Sequence, residues 1–147
     1  MCKLPSKEFF KGGIALVTLE NPRGDKFEYR FRAELLSDGA VLIFVDYFDD
    51  GDWRYMGRYK QGGKKRGEFV VETRRSGYAA NSQAMQVIDW FCFHAAWGIE
   101  LPEGYTWHSD GRCPRCRVLL RNHKSVVDGV GKHCKAIIAS DELLKRA

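Results

Sequence analysis

The sequence predicts an α+β protein in which an antiparallel sheet packs on one long helix and a small cysteine-bearing module follows. Three observations carry this reading. Residues 14–73 alternate apolar with polar side chains, residues 81–97 change to a helical period, and three of the five cysteines gather between 113 and 134. With 147 residues, 44% of them hydrophobic and 13% aromatic, the chain has the material for a buried core, which excludes wholesale disorder.

The strands follow in order. Lys26 to Arg32 alternates charged side chains with Phe27, Tyr29 and Phe31, so these three rings share one face. Ile14 to Leu19 reads as its hairpin partner, across the turn formers Asn21, Pro22, Gly24 and Asp25. Val41 to Phe48 is a third strand and Trp53 to Tyr59 a fourth, with Asp49-Asp50-Gly51-Asp52 as a solvated turn between them. A basic, glycine-rich loop from Gln61 to Gly67, carrying Lys64, Lys65 and Arg66, leads to a fifth strand over Glu68 to Thr73. Short connections between successive strands imply antiparallel pairing.

The helix is read from Asn81 or Ser82 to Trp97, with Ala84, Met85, Ile88, Phe91, Cys92 and Ala95 along one side and Gly98 at its end. His94 on this helix reads as structural. Leu101-Pro102-Glu103-Gly104 marks a boundary, dividing the chain into an α+β domain (1–103) and a cysteine module with a C-terminal helix (104–147). The longest apolar runs, Ala40 to Val45 and Trp90 to Phe93, fall far short of the roughly 20 residues of a membrane helix. Met1 to Glu8 carries no apolar leader, so a cytoplasmic protein is expected.

Five cysteines, at 2, 92, 113, 116 and 134, are an odd number and argue against a disulfide framework in such a protein. Cys113-Pro114-Arg115-Cys116 places two sulfurs on one side of a tight knuckle, a separation that suits two vertices of a zinc tetrahedron. Cys134 follows Gly129 and Gly131 and precedes the helical pattern Ala136, Ile137, Ile138, Leu143, Leu144, so it projects from a first helical turn. A knuckle plus a ligand from a helix start is a treble-clef-like arrangement, and Zn2+ is the cofactor expected. Three histidines compete for the fourth vertex, with a water-completed, catalytic site as the remaining alternative. His108 returns through Ser109-Asp110-Gly111, His133 adjoins Cys134, and His123 lies between the knuckle and the third cysteine.

The run from His108 through Gly111-Arg112-Cys113-Pro114-Arg115-Cys116, Leu120, Ser125 and Gly129-Val130-Gly131-Lys132-His133-Cys134 resembles an uncharacterised zinc-finger family of phage and mobile-element proteins. That family's motif is a histidine, Gly-Arg-Cys-x-x-Cys, a leucine with a serine five residues on, and Gly-x-Gly-x-x-Cys. The resemblance implies Cys113, Cys116, Cys134 and, more loosely, His108 as ligands, and a bacterial host cell as the setting. Lys132 and His123 stand where the family commonly has proline, which leaves the fourth ligand open.

Enzymatic readings fit poorly. A deaminase needs His-x-Glu well upstream of Pro-Cys-x-x-Cys, whereas Pro114 lies inside the knuckle and His108-Ser109-Asp110 lacks the glutamate. A thiol-redox motif does not explain Cys134. There is no Gly-x-Ser-x-Gly, His-Glu-x-x-His or phosphate loop. The aspartates at 46, 49, 50 and 52 do not follow a calcium-loop pattern.

Charge points elsewhere. The chain carries a net +5, and residues 111–147 hold nine basic against three acidic side chains, while residues 1–110 are nearly balanced. Arg112, Arg115, Arg117, Arg121, Lys124, Lys132 and Lys135 fall in the metal module, where folding round an ion gathers them into a surface suited to phosphate. Lys64, Lys65, Arg66, Arg74 and Arg75 can extend it, and Trp53, Tyr55 and Tyr59 offer rings for base stacking if they do not pack in the core. The expected function is non-catalytic binding of nucleic acid or a host nucleoprotein complex. The alternative, resting on the phage resemblance, is a protein-binding inhibitor of a host defence nuclease.

Overall fold

The computed structural model describes residue 4 and residues 7–37, 41–61, 68–70, 82–97 and 99–146. Its centre is a six-stranded antiparallel sheet of β1 (Ile14–Glu20), β2 (Lys26–Leu35), β3 (Val41–Asp49), β4 (Asp52–Gln61), β5 (Glu68–Val70) and β6 (Thr106–Ser109), in the order β5-β4-β3-β2-β1-β6. The helices are α1 (Lys7–Lys11), α2 (Gln83–Trp97), α3 (His123–Asp128) and α4 (Lys132–Arg146).

Turn chemistry sets the register. Asn21 accepts the amides of Arg23 and Asp25 at 3.0 and 2.9 Å, closing β1 onto β2 so that Val17 faces Tyr29 and Ala15 faces Phe31. Asp50 and Gly51 both have positive φ, 51° and 80°, the backbone a two-residue hairpin needs to follow the strand twist between β3 and β4. A bulge at Val45/Asp46 shifts the β3–β4 pairing, and Met56 in that stretch is fully buried.

One face of the sheet forms the core. Phe27, Tyr29 and Phe31 of β2 and Val41, Ile43 and Val45 of β3 meet Met85, Ile88 and Phe91 of α2. Ser82 caps α2, its Oγ accepting the Met85 amide at 3.3 Å, and the Tyr29 hydroxyl donates to the Ala84 carbonyl at 2.8 Å. Phe27, Tyr29 and Phe31 thus share the buried face that their alternation predicts.

Three elements lie outside the sequence prediction: α1, β6 and α3, which begins at His123 where the sequence reads as a loop. α1 places Phe9 and Phe10 in the core, Phe10 lying 5.2 Å from the Phe31 ring and 5.9 Å from that of Phe91. β6 extends the sheet, with His108 opposite Thr18 and Trp107 opposite Leu19. Residues 106–109, which the sequence boundary gives to the cysteine module, therefore pair with the first strand of the sheet. Leu101 is buried in the same core, and Tyr105 and Trp107 pack against it. A second, smaller apolar cluster joins Cys113, Val130, Cys134 and Ile138, with Leu120 against it.

The loop carrying Lys64, Lys65 and Arg66, together with Arg74, Arg75, Cys2 and residues 71–73 of the fifth strand, lies outside the described residues, as do the side chains of Tyr59, Cys92 and His123.

Candidate metal centre

The knuckle is a small hairpin. Arg112 pairs with Leu119, the Leu120 amide donates to the Gly111 carbonyl at 2.8 Å, and the Cys113 amide donates to the Val118 carbonyl at 3.0 Å. Between these bonds Pro114 to Cys116 turns, the Arg117 amide closing back on the Cys113 carbonyl at 2.8 Å. Arg117 sits at φ 64°, a left-handed conformation that few non-glycine residues adopt. Its guanidinium donates to the Ile14 carbonyl at 2.8 Å and pairs with Asp110, so tertiary contacts hold the strained position.

The third cysteine comes from α4. Asn122 caps α3, accepting from Lys124 and Ser125, and Gly129 ends α3 at φ 78°. Gly131 then leads into α4, whose third residue is Cys134, on the inner side of the first turn. The sulfurs of Cys113, Cys116 and Cys134 all lie within 4.8 Å of one another. Three thiolates bound to one zinc at about 2.3 Å stand roughly 3.8 Å apart, so the spacing needs little adjustment to take an ion.

The surroundings favour thiolates unevenly. Burial pushes the Cys113 thiol up, but the amides of Cys116, Gly131 and Arg115, with the Cys116 side chain, outweigh it and the net direction is downward. Burial also pushes Cys134 up and prevails there, because the neighbouring Cys116 and Cys113 sulfurs add to it while Arg115 alone opposes it, its Nη1 3.7 Å from Sγ. Cys116 is exposed. A divalent cation shared by the three sulfurs relieves their mutual repulsion.

The histidines are placed differently. His108 is an exposed residue of β6, and His133 is exposed in the first turn of α4. Neither belongs to the three-sulfur group found among the described residues. His123 begins α3. His94 takes the structural place expected of it, its Nδ1 2.9 Å from the Trp90 carbonyl oxygen.

The basic residues divide by what they touch. Arg112 donates to the Arg117 carbonyl, Arg115 faces Cys134, and Arg117 braces the knuckle. Lys135 pairs with Asp128 at 3.2 Å. Arg121, Lys124 and Lys132 are exposed. A cleft of about 480 Å³ between α3 and α4 is lined by Asn122, Lys124, Ser125, Asp128, Lys132 and Lys135. Sequence reasoning missed Asn122, Ser125 and Asp128 as part of this surface, although Asn122 ahead of a short polar helix is a recognisable cap signal. Asp46, grouped by sequence with the hairpin aspartates, is instead buried in β3.

No protein-family model, curated protein or solved structure matches the chain.

Proposed function

We propose that Cys113, Cys116 and Cys134 hold a structural Zn2+ in a treble-clef-like module and that the protein acts without catalysis, binding nucleic acid or a host nucleoprotein complex through the basic surface of that module. The observation that carries the metal assignment is the convergence of three sulfurs from two separate segments within 4.8 Å. A bound zinc supplies a cross-link between the knuckle and α4, and a histidine completes its coordination. His108 is the first choice, with His133 and His123 as the alternatives.

The cleft between α3 and α4 supports the binding reading. Lys124, Lys132 and Lys135 line it with a single carboxylate among the described residues, that of Asp128, which Lys135 engages, so positive charge prevails at the rim. Two phosphate contacts at such a site make affinity fall steeply with salt, by a slope of about 0.9 per phosphate on duplex DNA. Lys124→Glu with Lys132→Glu tests this better than a change at Arg115, which touches the Cys134 sulfur. The pair should leave zinc content unchanged while reducing nucleic-acid affinity and its salt slope; unchanged binding would contradict the assignment.

A second reading has its own observation. Val118, Leu119 and Val126 are 62%, 47% and 50% exposed on the same module, which favours a protein partner such as a host defence nuclease. Capture from bacterial lysate with and without nuclease treatment separates the two, because a protein partner survives removal of nucleic acid.

A further inference from the structure

The sheet has a second face. α1 and α2 contribute to the core on the side of Tyr29, Phe31 and Ile43, and the alternate residues of β2, β3 and β4 point the other way. There Arg30, Asp46 and Tyr55 stand side by side across three strands, with Arg32, Phe44 and Arg58 in the next such row. Phe48 and Trp53 pair beyond Asp46.

Asp46 organises this face. Its Oδ2 accepts from Arg30 Nε at 2.9 Å and Arg32 Nε at 2.7 Å, and its Oδ1 accepts from Arg32 Nη2 at 2.9 Å. Each guanidinium lies over a ring, Arg30 at 4.9 Å from the Trp53 centroid and Arg32 at 5.4 Å from that of Phe44. Each of those rings touches another, Trp53 with Phe48 at 5.1 Å and Phe44 with Tyr55 at 6.3 Å. The carboxylate thus fixes two clusters of one arginine and two rings. Asp46 is only 3% exposed, whereas the Arg30 and Arg32 side chains are 30% and 42% exposed and Phe48 is 38% exposed.

The geometry points to single-stranded nucleic acid on this face, with unpaired bases stacking on the two arginine–aromatic clusters. Flat π-surfaces and guanidinium planes accept any base, and rings already held by their neighbours lose little freedom on binding. Phe44 and Phe48 are four residues apart on one strand, so their rings rise from backbone positions about 14 Å apart at roughly 3.4 Å per residue, while the two guanidiniums between them meet at the shared Asp46 carboxylate. A duplex keeps its bases stacked inside and offers nothing to such a surface, so the occupant is a single strand. Two guanidiniums share one carboxylate, leaving a positive charge for the backbone. Glu28 and Glu34 follow on the same face of β2, so stacking outweighs charge, and affinity here depends on salt less than at the α3–α4 cleft.

This site takes up Trp53 and Tyr55, two of the rings the sequence offers for base stacking, but uses none of the residues of the α3–α4 cleft and stands without them. The test is fluorescence anisotropy of the 147-residue chain with a labelled oligothymidylate of about 20 nucleotides and with a duplex of the same length. Phe48→Ser removes an exposed ring, and Arg30→Lys with Arg32→Lys keeps the charge and the Asp46 pairing while removing the planar stack. Each should weaken single-strand binding about fivefold or more, leave the melting temperature within a few degrees, and leave duplex binding unchanged. Full single-strand affinity in either folded variant, or equal affinity for duplex and single strand once Lys124→Glu with Lys132→Glu has removed the cleft's contribution, would overturn the inference. Lys124→Glu with Lys132→Glu, measured in parallel, reports on the C-terminal surface alone, so either site can fail without the other.

Discussion

The amide of Ile14, first residue of β1, donates to the carbonyl of Pro114 inside the metal knuckle at 3.1 Å. Farther along the same strand, Val17 to Glu20 pair with β6. The free edge of β1 is therefore closed by the segment that precedes the cysteines and by the knuckle itself, which removes a template for association with other chains. Phe9 reinforces the junction, its ring lying against the backbone of Gly129. The cysteine module has its own apolar cluster, yet one of its backbone contacts with the sheet is one residue from a proposed ligand.

Chelation should therefore act at two places. Hydrogen exchange after zinc removal should accelerate first over residues 111–135 and at the Ile14 amide, while Tyr29, Phe31 and Ile43 keep their protection within the larger core. Simultaneous loss of protection throughout the sheet would show that one cooperative unit contains both clusters.

Gly129 should tolerate no side chain. It has φ 78°, and a Cβ there would lie 2.5 Å from Phe9 Cδ1. Gly129→Ala combines an unfavourable backbone conformation with overpacking and should cost about 2–4 kcal/mol, read as a lower denaturant midpoint. Gly51 is a control, since its φ is 80° but nothing lies within 4 Å of the added carbon; Gly51→Ala should cost about 1 kcal/mol.

Arg117→Ala separates bracing from binding. It removes the bond to the Ile14 carbonyl and the pair with Asp110, both near the surface, and should destabilise the fold by about 1–2 kcal/mol. Nucleic-acid affinity, corrected for unfolded protein, should change by less than in the Lys124/Lys132 variant. A larger loss would return Arg117 to the contact surface.

Asp46→Ala should be among the more damaging changes on the outer sheet face, because it leaves two guanidiniums without their shared acceptor. Partial exposure of both arginines limits the cost to about 1–3 kcal/mol. Denaturant melts of Asp46→Ala and of Arg30→Ala/Arg32→Ala would measure it, and a change below a few tenths of a kcal/mol in both would show that the cluster contributes nothing to stability.

The sheet and α2 were legible because their side-chain periods are long and unbroken: Phe27, Tyr29 and Phe31 could share only one face, and the Asp50-Gly51 turn needs little context. α1 and β6 were not. Five residues around Phe9 and Phe10 are too short to show a period, and Thr106 to Ser109 becomes a strand only because the edge of β1 is there to receive it. The three cysteines were legible from spacing, since Cys113 and Cys116 define a knuckle and Cys134 follows the glycines that allow the return. Spacing could not reveal that Arg117 braces β1 or that Asp46 gathers Arg30 and Arg32, because both depend on partners far away in sequence. The fourth ligand stayed open for the same reason: His108, His123 and His133 are all close in sequence, and proximity along the chain does not fix direction in space.

The most direct test is metal content by elemental analysis and native mass spectrometry, comparing the protein as purified under reducing conditions with Cys134→Ser. One zinc per wild-type chain is expected, with substantial loss from the variant and faster exchange over residues 111–135. Metal-free, fully folded wild-type protein, or a variant that keeps stoichiometric zinc with unchanged affinity, would contradict the metal assignment.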